Sequence, residues 1–507
     1  MNTETSDNTQ HETCFLIPVQ QVPSIQSFGV LIAVEKESQK ISHVSENIER
    51  AFGVPLDKIL GNSIFSFDKQ PQFKQIAEMI RTLPMNNQYV EAISCNEYRE
   101  LFCHQQEKHY IFEWIFFHKE EEVLVLDRFQ RVAVLFDQIR KHKIEEEMLQ
   151  QVCEKLKDIF SFDKVMIYSF RPDGSGDVVA QARETEMDDY IGLRFPFSDV
   201  PPQVREVYLK NPIRLIQNVW HQPVAIRSLN GQPILDLTYC ILKGVASVHQ
   251  EYVQNMKIAT SISHSITVRG ELWGLLCFHQ MNPKELPHQN RILVSLVAQL
   301  LELSIDLLEK EKGISFEKQT RDILYQMTTD YAYTKHKFID IFLDSSERFL
   351  KLVQADGCCI SFNGEIKTKG NVPPMPFIQE LINWIYIDPF KKEIFSTNCL
   401  LEVFPSAKEF KAIASGIMAY NIGPQKNDMI IWFRPEQITH IRWGGNPNLN
   451  VDTEGKIHPK NSFALWSEAV SGKSMQWLPR EVKLVKDIQD YMRKVILELL
   501  LQKIKEN

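Results

Sequence analysis

Apolar positions along this chain follow two periods, and the switches between them divide it. Between Ile25 and about Leu126 short runs alternate apolar and polar: GVLIAVE, KISHVS, YRELFCHQ, HYIFEWIFF and EEVLVLD. Alternation of that kind predicts strands, and HYIFEWIFF reads as a half-buried one. One piece among them, QFKQIAEMIRTL, has helical spacing. The first part of the chain is therefore expected to be a small α+β domain. The stretch RVAVLFDQIRKHKIEEEMLQQVCEKLKDIF then steps by three and four, as helices do. DKVMIYSFRPDGSGDVVAQA follows as two strands turned at Pro172-Asp173-Gly174. TSISHSITVRGELWGLLCFHQM repeats that plan, with Arg269-Gly270 at the turn. These segments predict a second α+β domain over about 143–310.

From His288 to about Gln354 few residues break a helix beyond Gly313, and RILVSLVAQLLELSIDLLEKEK reads as a spine leading into a third domain, about 325–507. Strands are expected there near GCCISFNGEI and KNDMIIWFRP. Between them and the last helix lies ITHIRWGGNPNLNVDTEGKIHPKNSFALW, an irregular excursion. Excursions of such length inside a compact domain are commonly functional or disordered. Its tryptophans and Phe463 predict that it docks on something. In the last helix Val485, Ile488, Met492, Val495 and Leu499 form a short seam. Read as a coiled-coil seam, it predicts a dimerising helix leading to a further domain. Read as an ordinary amphipathic stripe, it packs on its own domain.

Composition narrows the class. The 507 residues suggest about three domains, and 44% hydrophobic with 24% charged residues is the balance of a soluble globular protein. A formal charge of -8 argues against broad nucleic-acid binding. No apolar run approaches a membrane span, and the polar start MNTETSDNTQHET lacks signal-peptide features, which predicts a disordered arm on a cytoplasmic protein. The nine cysteines show no CxxC pair, and no metal site is expected. Most read as buried thiols. Cys14, in the polar arm, is the one placed to react. No P-loop, GxSxG, HExxH, kinase or cyclase signature is present, so no catalytic residue is assigned.

One carboxylate stands out. Asp199 lies in LRFPFSDVPPQVREVYLKNPIRLI, an otherwise apolar setting. Read locally, it is a helix N-cap, with Pro201 and Pro202 opening the first turn.

Eight ordered segments now carry a resemblance: VPSIQSFG, DKVMIYSFRPDGSG, FPFSDVPPQVREVYLKNPIRLI, SVHQEYVQNM, LWGLLCFH, WFRPE, RWGGNP and HPKNSF. Together they resemble bacterial phytochromes, over the PAS, GAF and PHY domains of the photosensory module. The resemblance implies an α+β chain of three sheet-containing domains. It places an arm at 1–20, PAS at 21–130, GAF at 143–310 and PHY at 325–507, with a tongue at about 432–478 and a terminal helix at about 480–505. The arm would pass through a GAF loop as a knot, with Ile25 in the crossing segment.

The resemblance also implies a linear tetrapyrrole in the GAF domain. Members that use biliverdin attach it to a cysteine in the arm, which is Cys14 here. Other members place the cysteine immediately before the histidine of SVHQEY, where this chain has Val248. Arg214 matches a propionate-binding arginine, and Lys243 stands where a second arginine is usual. Ser261 and Ser263 match neighbouring hydroxyls, and Ala246 stands where a hydroxyl is common. His249 would lie over the ring nitrogens and His279 would reach the carbonyl of the isomerising ring. Tyr168, Phe195, Tyr208 and Tyr252 would cage that ring, though plain core packing would place them equally well. Asp199, Val200 and Pro201 would line the pigment, the Asp199 backbone carbonyl facing the pyrrole N–H groups. The Asp199 side chain would meet the tongue motif Pro459-Lys460-Asn461-Ser462-Phe463, in which Lys460 replaces an arginine and Ser462 is a further contact. One ammonium cannot form the planar fork of a guanidinium, so a weaker clamp is expected, supplemented by packing of Trp443 and Trp477.

The implied function is red/far-red light reception by a homodimer whose output domain, a histidine kinase or diguanylate cyclase, lies outside this chain. No membrane or nucleic-acid partner is expected. The competing reading is a GAF-type regulatory module for a small molecule such as a cyclic nucleotide.

Overall fold

The computed structural model describes residues 21–82, 90–96, 99–117, 122–229, 232–334, 338–387, 394–422, 427–437, 439–447, 450–451, 457–458, 460 and 462–506. Two compact units emerge. One is built from the chain up to Leu308 together with Arg442–Trp466, the other from Glu309–Ile441 and Ser467–Asn507.

The first unit holds two sheets. In one, the strands run Ser24–Ile25, Val224–Ser228, Ile41–Ser45, Gly29–Glu35, His109–Phe116, Arg99–Gln105 and Val90–Asn96, each antiparallel to the next. HYIFEWIFF forms a strand as expected, but it is buried on both faces rather than half-buried. Tyr110, Phe112 and Trp114 face a core with Phe73, Ile76 and Ile80 of the helix Pro71–Thr82. Ile111 and Ile115 face Leu235, Leu237, Cys240 and Leu242, which come from far along the chain. No sequence period anticipates that second cover.

EEVLVLD is not a strand. Residues from Glu122 belong to the helix Glu122–Ile139. The preceding strand His109–Phe116 is flanked on both sides, by Gly29–Glu35 and Arg99–Gln105, so a strand following it has no adjacent edge to join. A short apolar run alone does not separate the two outcomes.

Glu113, fully buried, ties the far segment to this sheet. Its carboxylate accepts the backbone N–H of Leu242 at 2.7 Å and of Ile241 at 3.2 Å, and pairs with His104. With Cys240 these two side chains form a cluster compact enough for a metal ion. The carboxylate, however, already has donors from His104 and two backbone amides, and the cluster reads as a clasp.

The other sheet of this unit is antiparallel through Ile213–Ile216, Thr260–Val268, Glu271–Gln280, Lys164–Phe170, Gly176–Arg183 and Arg194–Phe195. Trp443 of the excursion adds to its edge, in parallel with Arg194. Both expected turns are present. Arg269 and Gly270 have φ of 53° and 81°, the left-handed pair that a two-residue hairpin of matching twist needs. Period-2 alternation sends Val165, Ile167, Leu276, Phe278, Ile262 and Leu215 to one face, where the helix Glu145–Phe160 and Leu293, Val294, Val297 and Leu301 cover them. The opposite face carries the candidate site.

The second unit is built on the antiparallel sheet Glu365–Gly370, Gly357–Phe362, Met429–Arg434, Gly416–Asn421, Ile394–Thr397. Helix Phe338–Leu352 covers one face and Met375–Ile387 the other. The long helix His288–Thr334 contributes Ile323 and Met327 to the first of these cores. Val485 and Ile488 of the helix Pro479–Glu506 are buried in the same core. The first half of the expected seam therefore packs on its own unit, while the side chains of Met492, Val495 and Leu499 lie outside the described residues. Among the described residues seven cysteines are buried and in no disulfide, and no helix is long and apolar enough to cross a membrane.

Candidate functional site

Side chains at alternate positions of a strand share a face, and cross-strand partners share it too. Lys164, Met166 and Tyr168 therefore line up with their neighbours Leu275, Cys277 and His279, which pair in register as Lys164–His279, Met166–Cys277 and Tyr168–Leu275. Ser261 lies across from His279 and Ser263 from Cys277. Arg214 lies across from Ser263 on the next strand. Thus His279, Ser261, Ser263, Arg214 and Tyr168, chosen from the sequence, occupy one face of one sheet.

Helices and loops close over this face. Tyr208, on the helix Pro202–Lys210, sits 2.5 Å from Ser263 through its hydroxyl. His249 and Tyr252 lie on the helix Ser247–Asn255, with stacked rings 6.0 Å apart. Phe195 packs edge-on to Tyr168 at 6.1 Å. The aromatic wall continues through Tyr190 to Phe463 of the excursion, and all are buried.

Two cations, Arg214 partly buried and Lys243 buried, stand here without a carboxylate within ion-pair distance among the described residues. Arg214 donates to the Gly244 carbonyl at 2.7 Å, and burial pulls its basicity down. Burial, with Arg214 nearby, pushes Lys243 down to about 7. Desolvation also disfavours the charged form of both imidazoles, in His279 by full burial and in His249 at a pocket that leaves the residue itself exposed. His249 is lowered to about 4, with Arg214 adding to the effect, and His279 to about 3, with Lys164 and His249 adding. The Tyr168 hydroxyl and His279 Nδ1 are buried without a hydrogen-bond partner among the described residues. Buried polar atoms are rarely left unpaired. Unmatched cations, unpartnered polar atoms and aromatic walls fit a long conjugated ligand that carries carboxylates.

Asp199 ends a tight turn, Phe197–Asp199, and is not a helix cap. Pro201 holds the N-cap position of Pro202–Lys210, with no side-chain capping bond. The carboxylate instead accepts the Tyr252 hydroxyl at 2.9 Å and pairs with Lys460 at 2.8 Å. Both charged side chains are nearly buried, at 9% and 8% exposure. Burial raises the Asp199 carboxyl despite Lys460, and lowers the Lys460 ammonium despite Asp199. Lys460 also donates to the Gly444 carbonyl at 3.0 Å, and Asn255 donates to the Lys460 carbonyl at 3.0 Å. The expected meeting of Asp199 with the excursion is therefore present.

Other expectations fare differently. The Ser462 hydroxyl accepts from Ala464 in its own turn, at 3.2 Å. Trp443 pairs beside Arg194, but Trp477 belongs to the second unit, where it lies under Arg434 at 3.7 Å and donates to Thr397 at 3.1 Å. The Val200 carbonyl accepts from Arg205 at 2.7 Å. Ala246 is the N-cap of the His249 helix and makes no side-chain capping bond.

Cys14 and the path of residues 1–20 lie outside the described residues, and with them the threading that a knot requires. What is described is the anchoring next to it. Ile25 bridges to Lys243, and the Gln26 amide donates to Leu215 at 2.7 Å and to Lys243 at 3.2 Å.

Sequence reasoning missed Lys164, Tyr190 and Arg205. Lys164 was detectable, since it shares the period-2 face of Met166 and Tyr168. Arg205 stacks on Phe170 at 4.2 Å and on Phe197 at 5.1 Å, and no local pattern announces that.

Three family models match in order: PAS fold over residues 14–127, GAF domain over 145–305 and Phytochrome region over 318–500. The chain is 35% identical to cyanobacterial phytochrome B of Nostoc sp., over 71% of this chain and 48% of the relative. It is 26% identical to cyanobacterial phytochrome A of Nostoc sp., over 96% of this chain and 65% of the relative. It is 27% identical to a bacteriophytochrome of Xanthomonas campestris, over 97% and 79%. The chain thus spans about half to two thirds of the Nostoc relatives' length. A bacteriophytochrome structure from R. palustris matches at TM-score 0.82 and 25% identity, covering 96% of this chain and 99% of that one. The phytochrome photosensory core module of Stigmatella aurantiaca matches at TM-score 0.80 and 25% identity, covering 98% and 99%. The chain belongs to the phytochrome family, as a PAS–GAF–PHY photosensory module.

Proposed function

We propose that this chain is a red/far-red light receptor that holds biliverdin against the polar face of the GAF sheet. The observation that carries the reading is the unmatched pair Arg214 and Lys243, set beside two neutral histidines and an aromatic wall that runs to Asp199 and Lys460. Bound biliverdin supplies a conjugated chain that isomerises on absorbing light. The protein's part is positioning. Arg214 and Lys243 hold the two propionates, and their charge restores the balance that burial upset. His249 and His279, kept neutral, each offer one N–H and one acceptor. Ser261, Ser263, Tyr208 and Tyr168 supply hydroxyls, while Phe195 and Tyr252 exclude water from the ring that turns. Val200 and Pro201 pass beside the pigment together with the Asp199 backbone. Cys14 forms the thioether.

Asp199 and Tyr252 couple this pocket to the tongue. A change in the ring cage moves the Tyr252 hydroxyl or the Asp199 carboxylate, and so alters the Lys460 contact. Two arrangements separated by a few kcal/mol are enough for light to redistribute them. The tongue then biases the terminal helix toward an output domain outside this chain, a histidine kinase or a diguanylate cyclase, in a cytoplasmic homodimer. The arm at 1–20 and domains at 21–130, 143–310 and 325–507 are the boundaries adopted in this reading.

Adding biliverdin to the purified chain is expected to produce a red absorption band that red light diminishes. No band and no adduct would sink the receptor reading and favour a small-molecule regulatory module. Cys14→Ala is expected to abolish zinc-induced fluorescence on a denaturing gel, and a persisting signal would place the attachment at another thiol.

A further inference from the structure

Lys164 is a buried lysine that the pigment-holding scheme above does not use. Its side chain sits on the pocket face of the strand Lys164–Phe170 and is 1% exposed. A lysine in such a place is unusual, since burial of an ammonium is costly unless it is paired. No carboxylate lies within ion-pair distance of it among the described residues. Its Nζ donates to the Asp188 backbone carbonyl at 2.6 Å and lies 3.7 Å from the centre of the Tyr190 ring.

These contacts join two places. Lys164 is the register partner of His279 on the neighbouring strand. Asp188 and Tyr190 belong to the loop that seats the tongue. The Tyr190 ring meets Phe463 at 6.2 Å and Phe195 at 5.9 Å. Phe463 in turn meets Tyr252 edge-on at 4.9 Å. One buried ammonium therefore stands between the strand of His279 and the aromatic seat of Phe463, by a route separate from Asp199 and Lys460.

We propose that Lys164 is a positioning residue that locks the loop beneath Phe463 to the strand carrying His279, so that the tongue and the His279 end of the pocket act on each other through it. The ammonium does two things at once. Its hydrogen bond and its place over the Tyr190 ring hold the loop at one height. Its charge, beside His279, favours the neutral imidazole. The groups that face Lys164 are Asp188, Asp189, Arg183 and Tyr190 from the loop and the strand before it, and His279 from the neighbouring strand. His279 is faced by Lys164 and by His249. Burial is the first cause of the neutral His279, and the charge that Lys164 carries below about pH 8 adds to it, with two basic neighbours and no anion among the groups acting on His279.

This inference rests on the tetrapyrrole reading for its optical readout, and the test separates the two. Wild-type protein is first loaded with biliverdin. Without a red band the receptor reading fails, and the proteolysis arm below still tests Lys164. Lys164→Met and Lys164→Arg are then compared with wild type. The first readout is the absorption band titrated from about pH 5 to about pH 7, below the value of about 8 to which burial lowers Lys164. The second is the rate of tryptic cleavage within 442–466 in the dark. Lys164→Met is expected to add a pH-dependent component that wild type lacks and to speed cleavage about fivefold, while Lys164→Arg restores both. Lys164→Gln, which keeps a donor for Asp188 and loses the charge, serves where the Met variant fails to fold, and it is expected to show the added pH component. Substitution that leaves the pH profile and the cleavage rate as in wild type would overturn the proposal, as would an arginine variant indistinguishable from the methionine one.

Discussion

Two buried ion pairs, Arg434–Glu481 in the second unit and Lys460–Asp199 in the first, are built differently. In the second unit Arg434 meets Glu481 at 2.8 Å, donates to the carbonyls of Gln476 at 2.7 Å, Met475 at 3.2 Å and Gln354 at 3.2 Å, and also to that of Val353. Its plane lies on Trp477, and the second Glu481 oxygen accepts Leu478 N–H at 2.7 Å. In the first unit Lys460 meets Asp199 and one carbonyl, that of Gly444. A guanidinium spends its donors in a fixed fork, whereas an ammonium is a point charge on a flexible stem. The arginine pair is over-determined, as suits a fixed joint. The lysine pair has few partners and both its members are pushed toward neutrality by burial, as suits a contact that must break.

Substitutions rank the two. Arg434→Met leaves Glu481 buried without its cation and strips four carbonyls of a donor. A loss of about 3–5 kcal/mol is expected in urea unfolding. Lys460→Met removes one ionic contact while Asp199 keeps Tyr252, so a loss of about 1–3 kcal/mol is expected by the same measurement. Equal losses at the two positions would erase the contrast drawn here.

Lys243 extends the comparison to a cation with no carboxylate within ion-pair distance among the described residues. Its folded value of about 7 lies below its ordinary 10.5, so between those pH values the unfolded chain holds a proton that the folded chain has released. Stability of the pigment-free protein is therefore expected to rise with pH across that window, and Lys243→Met to flatten the rise. A slope unchanged by the substitution would assign it to other groups. At the small end stands Lys483, paired with Glu317 on the surface of the second unit. Lys483→Ala is expected to leave the unfolding midpoint unchanged, because solvent screens such pairs.

How far the sequence could be read follows from whether local chemistry decides. Hairpin turns at Gly174 and at Arg269-Gly270 were legible because positive φ needs particular residues. Ser261, Ser263 and His279 of the polar GAF face came from the resemblance, and the register of the strands that bear them sets them on one face. The sheet hidden beneath residues 235–242 was not legible, because its cover comes from about 130 residues away. EEVLVLD was misread because its state depends on whether a neighbouring sheet edge is free. Asp199 was misread as a cap because its two partners, Tyr252 and Lys460, lie 53 and 261 positions on (252 − 199 and 460 − 199). Resemblance supplied Lys460 where local reasoning could not. It did not supply Lys164, which the period-2 face shared with Met166 and Tyr168 marks and the register with His279 places.

The central claim is that light absorbed in the GAF pocket is read out where a single ammonium holds Asp199. The most direct test is the time course of absorbance after a red pulse, in biliverdin-loaded wild type and Lys460→Arg. The account predicts a red band that bleaches and returns in both, with a return rate in the arginine variant that differs at least several-fold from wild type. Absence of the band, or equal return rates, would contradict it.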